Sequence, residues 1–271
     1  MISDIDLDHV AVAAESWDDL WPRYRGDLGG EWAGGGATVG FSSAQVRYAN
    51  EMRLEVLAPY AVDRNDFLRR FLDRSGPGPH HLTFKVKDIR AALATAEAAG
   101  FEPVGIDLSD PGWQEAFLHP KQARGVVVQL AQSVGDGDSD DWNRPAPASF
   151  PEARTAPATL DRIVHLVASL DDGLALFGAL LAGETTDRGE EEGLRWVDLA
   201  WPGPGRLRLA EPTTGTGPLA RWLGDRPGRI HHLAFTCDDP AAVPGARPLA
   251  DGRWEVPPAE NLGTRLLLTA G

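Results

Sequence analysis

Apolar and polar residues alternate with a period of two in short stretches along this chain, and each stretch is followed by the signature of a capped helix. His9-Val10-Ala11-Val12 is the first such stretch, and a period of two predicts a strand with one apolar face. Ser16 then stands where a helix N-cap is wanted, with Asp19 three residues on, so a helix is predicted from about Trp17 to Leu28, stopped at Gly29-Gly30. Further strands are predicted near Thr38–Phe41, Gln45–Tyr48 and Met52–Leu57, with a turn at Asn50-Glu51 and Pro59 closing the segment. The plan repeats with His81–Val86 as strand, Asp88 as cap, an alanine-rich helix through Ala99, Gly100 as stop and Gly125–Ala131 as the final strand.

The repetition extends to the whole chain. Asp18-Asp19 recurs as Asp171-Asp172, Gly30 as Gly183 and Pro59 as Pro212, at one offset of 153 (171 − 18, 183 − 30, 212 − 59). Within each copy Leu7-Asp8-His9-Val10 is answered by Pro79-His80-His81-Leu82, and Leu160-Asp161-Arg162-Ile163 by Ile230-His231-His232-Leu233. Four quarter-modules follow, in an α+β arrangement. Residues 1–131 and 158–271 are expected to be two domains, joined by a linker at 132–157 whose Gly-Asp-Gly-Asp-Ser-Asp-Asp and Pro/Ala-rich composition gives little to bury. The last quarter is shortened, and Pro240, Pro244 and Pro248 leave little room for a full helix.

Composition narrows the function. A chain of 271 residues, 42% hydrophobic, has enough apolar surface for two cores. The single cysteine, Cys237, excludes an intramolecular disulfide framework and a CxxC zinc site, and reads as an inert strand residue. A formal net charge of −14 without a Lys/Arg stripe argues against nucleic acid or an anionic membrane as partner. No apolar run has the length of a membrane span, so the expectation is a soluble, cytoplasmic monomer or homodimer acting on a small molecule.

Strand parity selects the candidate chemistry. His9 lies opposite Val10 and Val12, Glu55 opposite Leu54 and Val56, His81 opposite Leu82, Phe84 and Val86, and Gln129 opposite Val128 and Leu130. Each is the polar member of a strand whose other face is apolar. Two imidazoles and a carboxylate suit Fe(II), Mn(II), Co(II), Ni(II) or Zn(II), with the Gln129 oxygen as a weak fourth ligand or an orienter of bound water. By the offset, His9 becomes Arg162 and Glu55 becomes Arg208, while His81 corresponds to His232 and Gln129 falls near Leu267. Arginine stays protonated and does not ligate a cation, so only the first copy is expected to hold metal, with Arg162 and Arg208 pairing with carboxylates. His119 is expected in a turn near the pocket mouth, beside the substrate-contact candidates Trp113 and Phe117, and His165 in the core.

Several phrases resemble the vicinal oxygen chelate superfamily, the group of glyoxalase I, bleomycin-resistance proteins, extradiol dioxygenases and methylmalonyl-CoA epimerase. They are Leu7-Asp8-His9-Val10-Ala11, Leu54-Glu55-Val56-Leu57-Ala58-Pro59, His80-His81-Leu82-Thr83-Phe84-Lys85-Val86, Phe117-Leu118-His119-Pro120-Lys121 and Gly125-Val126-Val127-Val128-Gln129-Leu130, and together they look most like the epimerase branch. The resemblance implies paired βαβββ modules forming half-barrels around one divalent metal, held by His9, Glu55, His81 and Gln129. It also implies a departure: the family's fourth ligand is usually a glutamate that moves a proton, and an amide cannot do so. A second base would sit near Thr38–Phe41, where none is present. Three activities remain open. They are a metal-dependent isomerase or lyase with Glu55 as catalytic base, an Fe(II) dioxygenase, and a small-molecule or drug-binding protein of the bleomycin-resistance type.

Overall fold

The computed structural model describes residues 1–133, 144–191 and 193–271. Strand β1 (Ile5–Ala13) leads into helix α1 (Trp17–Trp21), which continues to Asp27 as a wider π turn. Strands β2 (Glu31–Ala37), β3 (Gly40–Arg47) and β4 (Arg53–Tyr60) complete the first module, followed by α2 (Phe67–Ser75). The second module is β5 (Gly78–Val86), α3 (Ile89–Ala98), β6 (Val104–Asp110), β7 (Trp113–Leu118) and β8 (Val127–Ser133). The third comprises β9 (Thr159–Val167), α4 (Leu170–Gly173) with a π continuation to Leu180, β10 (Glu184–Glu191), β11 (Leu194–Ala200), β12 (Arg206–Pro212) and then α5 (Pro218–Leu223). In the fourth, β13 (Gly228–Cys237) is followed by one 3-10 turn at Pro240–Ala242, then β14 (Arg247–Pro248), β15 (Trp254–Val256) and β16 (Leu266–Ala270).

The duplicated caps do the same job in both copies. Ser16 Oγ accepts from the Asp18 amide, Ser169 Oγ from the Asp172 amide, and Asp88 from the Ala91 amide, each satisfying a donor of a helix first turn. Gly100, at φ +84, ends the α3 segment. One sequence expectation is corrected. Thr38–Phe41 is not a separate strand: the Thr38 amide donates to the Phe41 carbonyl at 2.9 Å, closing the turn between β2 and β3, and β3 runs through what were read as two strands. The preceding strand β2 is built around Gly34-Gly35-Gly36, a composition that period and propensity do not flag. Helix α2 was also not anticipated.

Two eight-stranded mixed sheets result, in the orders β2-β3-β4-β1-β5-β8-β7-β6 and β10-β11-β12-β9-β13-β16-β15-β14. One takes its strands from residues before 134 and the other from residues after 158. In both, the first strand of a module pairs parallel with its last, as β1 with β4 and β5 with β8. Val10, Val12, Leu54, Val56, Leu82, Phe84, Val128 and Leu130 are fully buried, which accounts for the apolar face of each strand. On the opposite face, Ala11, Ala13 and Leu57 receive Leu68 and Leu72 of α2, with Phe41, Phe67 and Phe71 around them. The second sheet repeats this with Leu166 and Ala210 against Leu223 of α5.

The chain also divides into two compact units whose limits fall inside strands. One contains Met1–Asp8, the segment from His81 through β8, and Arg162–His231; the other contains His9–His80, the segment ending at Asp161, and His232–Gly271. Each unit thus draws on both halves of the duplication. In the first, Phe84 packs on Trp201, and the backbone passes so closely that a Cβ on Gly125 (φ +85) would lie 1.8 Å from the Gly228 carbonyl oxygen. In the second, Tyr48 packs on Phe235, and a Cβ on Gly263 (φ +78) would lie 1.9 Å from the Pro77 carbonyl oxygen. Residues 144–157, read as linker, include Phe150, which meets the rings of Trp21 and Trp32 at 5.1 and 5.5 Å; the Gly/Asp-rich part of that reading lies outside the described residues.

Candidate metal centre

His9 is carried by β1, Glu55 by β4 and His81 by β5. The parallel register of β1 and β4 sets Ala11 beside Glu55, so Glu55 shares the face of His9 and Ala11 while Val10, Leu54 and Val56 take the other. All three polar side chains are buried, at 1%, 7% and 5% exposure, which is unusual for such groups unless they have partners. One ligand atom from each of His9, Glu55 and His81 lies within 4.8 Å of the others. The His9 Nε2 faces Glu55 Oε2 at 3.5 Å, so the imidazole and the carboxylate already converge. A donor set of two neutral imidazole nitrogens and one carboxylate oxygen, gathered this closely, fits a divalent transition metal or zinc.

One further side chain touches this set, and another shares the face of His81. Gln45 of β3 stands directly opposite Glu55, and its amide lies 3.3 Å from His9 Nδ1. Sequence reasoning passed over Gln45, although the offset of 153 that paired His9 with Arg162 also pairs Gln45 with the charged Asp198. Gln129 of β8 is level with Thr83 and so on the face of His81. Its Oε1 accepts from the Thr83 hydroxyl at 2.5 Å, and its Nε2 donates to Glu115 Oε2 at 2.7 Å. Glu115, a second carboxylate on this face that the sequence did not single out, also accepts from Trp113 Nε1 at 2.8 Å. Trp113 and Phe117 lie on β7 opposite Ser133 and Gln129, and Lys85 Nζ sits 3.9 Å from the Trp113 ring centre. His119 follows the end of β7 and accepts from the Lys121 amide through Nδ1.

The equivalent place in the second sheet is filled by salt bridges. Arg208 holds Asp198 with Nε and Nη2, both at 2.7 Å, and Arg162 Nη1 reaches the same carboxylate at 3.0 Å. The Arg208 guanidinium also stacks 3.7 Å from the Trp196 ring centre. Leu267 pairs with Ala234 as Gln129 pairs with Thr83, so an apolar side chain stands in the place of the amide. His165 is fully buried and bonds through Nε2 to the Arg124 carbonyl at 2.8 Å. Among the described residues, this copy gathers no metal-binding set of its own.

Comparison with known proteins gives a family match over part of the chain. Residues 8–117 match the model described as the Glyoxalase/Bleomycin resistance protein/Dioxygenase superfamily. The ethylmalonyl-CoA/methylmalonyl-CoA epimerase of Cereibacter sphaeroides is 29% identical over 136 residues, covering 46% of this chain and 96% of the epimerase. The uncharacterized protein YqjC of Bacillus subtilis is 28% identical over 137 residues, covering 48% and 94%. Among solved structures, a variant of 4-hydroxymandelate synthase from Streptomyces coelicolor has the same fold, with a TM-score of 0.63 at 18% identity over 87% of this chain and 72% of that one. Residues 8–117, which carry His9, Glu55 and His81, thus match a domain of the glyoxalase/bleomycin resistance/dioxygenase superfamily, and the tandem βαβββ modules agree with that match.

Proposed function

We propose that this protein is a metal-dependent isomerase or lyase of the glyoxalase or epimerase type, acting on a small oxygenated or carbonyl substrate. The observation that carries this reading is the buried convergence of His9, Glu55 and His81 within 4.8 Å. Nitrogen and oxygen donors of that kind would hold one Zn, Ni, Co, Mn or Fe ion, which when bound polarises a carbonyl oxygen as a Lewis acid. Similarity to the epimerase of Cereibacter sphaeroides supports the isomerase alternative. Glu55 is the proton acceptor in this reading, as the carboxylate that converges with His9 and His81; the amides Gln45 and Gln129 cannot take a proton. Trp113 and Phe117, on the face of Gln129, supply apolar contact to the substrate. Gln129 borders the site as a weak ligand or an orienter of water, held in direction by Thr83 and Glu115.

A second reading, a non-haem Fe(II) oxygenase, is favoured by the donor set itself, two imidazoles with one carboxylate. Metal analysis after purification separates the two: iron favours the oxygenase, and zinc, nickel, cobalt or manganese the isomerase or lyase. Calorimetric titration should give one ion per chain, and His81→Ala should weaken binding by about 100-fold or more through loss of a ligand. Full-affinity binding in His81→Ala, or no binding by the wild type, would overturn the assignment.

A further inference from the structure

Position 45 touches position 9 in both halves of the duplication, with different chemistry in each. In the first half the Gln45 amide lies 3.3 Å from His9 Nδ1. The offset of 153 carries Gln45 to Asp198, His9 to Arg162 and Glu55 to Arg208, and there the Asp198 carboxylate accepts from both arginines at 2.7 to 3.0 Å. The strand register repeats as well, Gln45 opposite Glu55 and Asp198 opposite Arg208. Two chemically unrelated pairs in the same places mean that the contact is imposed by the sheet.

From this we infer that Gln45 is the positioning residue for His9, its side-chain oxygen accepting the Nδ1 proton when Nε2 holds the metal. The inference rests on the metal reading above. An imidazole that ligates through one nitrogen is neutral and carries its proton on the other. His9 turns Nε2 toward Glu55, so Nδ1 is the nitrogen left to carry the proton. That N–H needs an acceptor in a buried place, and Gln45 is itself 5% exposed and within reach. A carboxamide exchanges oxygen for nitrogen by a half-turn without changing its volume. The same side chain therefore serves both states, donating to a bare Nδ1 and accepting from Nδ1–H. Such partners fix the tautomer and the ring direction of a ligating histidine, and losing one typically costs about 10- to 100-fold in metal affinity.

The test is Zn(II) titration of the wild type, Gln45→Leu and Gln45→Glu by calorimetry, with nitrogen-15 NMR of the histidine side chains. Gln45→Leu keeps the bulk and removes the acceptor, and should weaken Zn(II) binding about 10- to 100-fold. Gln45→Glu restores an acceptor and should bind at least as tightly as the wild type. In the Zn(II)-loaded wild type, His9 should be protonated on Nδ1 and metal-bound through Nε2. Unchanged affinity in Gln45→Leu, or a His9 bound through Nδ1, overturns the inference, and the second measurement decides even if the leucine variant fails to fold. A wild type that takes up no Zn(II) brings down the metal reading itself, an outcome distinct from one that binds zinc but is indifferent to residue 45.

Discussion

His165 sits three positions beyond Arg162 on the strand that repeats β1, where the first copy has Val12. Its opposite parity turns it into the core, and burial holds its pKa down to about 4, partly offset by the bond to the Arg124 carbonyl. The ring is therefore neutral, with the proton on Nε2. Because the unfolded chain protonates near 6.5 and the folded one near 4, stability should be intact above pH 6.5 and fall as the pH drops toward 4. The loss amounts to about 3 kcal/mol by pH 4. Urea unfolding between pH 7.5 and 4.5 measures it, and His165→Val, the first copy's solution at that place, should flatten this part of the profile. An unchanged profile in the variant would assign the acid sensitivity elsewhere. His165, His9, Glu55 and His81 were legible because period two tells a reader which way a strand residue points. Gln45 and Glu115 were not, since a glutamine or glutamate on a strand gains meaning only from the neighbour set opposite it by register.

At the scale of elements, the capped helices and the strands bearing His9, Glu55 and His81 were readable, because caps and alternation are local signals. Helix α2 and the Gly34-Gly35-Gly36 strand were not. The first is a nine-residue segment whose apolar Phe67, Leu68, Phe71 and Leu72 span too short a run for a helical period to stand out, and the second is held by its neighbours in the sheet rather than by propensity. Glycine also separates two physical effects here. Gly100 and Gly125 have nearly equal positive φ, +84 and +85, but a Cβ on Gly100 meets nothing within 4 Å, whereas on Gly125 it meets the Gly228 carbonyl at 1.8 Å. Gly100→Ala should then cost only the left-handed backbone term, about 1 kcal/mol. Gly125→Ala adds an overlap that neither backbone can relieve by a side-chain rotation, and should cost about 3 kcal/mol or more. Thermal unfolding of the two variants gives the comparison, and equal losses would show that the close approach is not what selects glycine at 125.

At the scale of the whole molecule, the duplication suggests two self-contained halves, yet neither compact unit is built from one half. Phe84 of β5, completely buried, packs on Trp201 at 5.3 Å and Phe177 at 6.4 Å, and Tyr48 of the first module packs on Phe235 of the fourth at 5.0 Å. The backbone follows suit, with the Ile2 amide donating to Leu180 and Gly125 lying against Gly228. Sequence periodicity could not reveal this, because it reports which face of a strand is apolar and not which element covers it. Residues 1–133 contain His9, Glu55, His81, Gln45 and Gln129, so if metal binding were all that mattered the second half would be dispensable. Packing argues otherwise. Leaving an aromatic residue such as Phe84 without its partners costs on the order of 3–5 kcal/mol, and two such losses approach the whole stability of a domain. A fragment ending at Ser133 should bind a dye for exposed apolar surface, self-associate, and lose most of its metal affinity while keeping every ligand. Co-expression with residues 144–271 should restore a one-to-one complex that binds metal. A soluble, monomeric 1–133 fragment with the affinity of the full chain would mean that the second half contributes nothing to the site, and that its retained core has some other reason to exist.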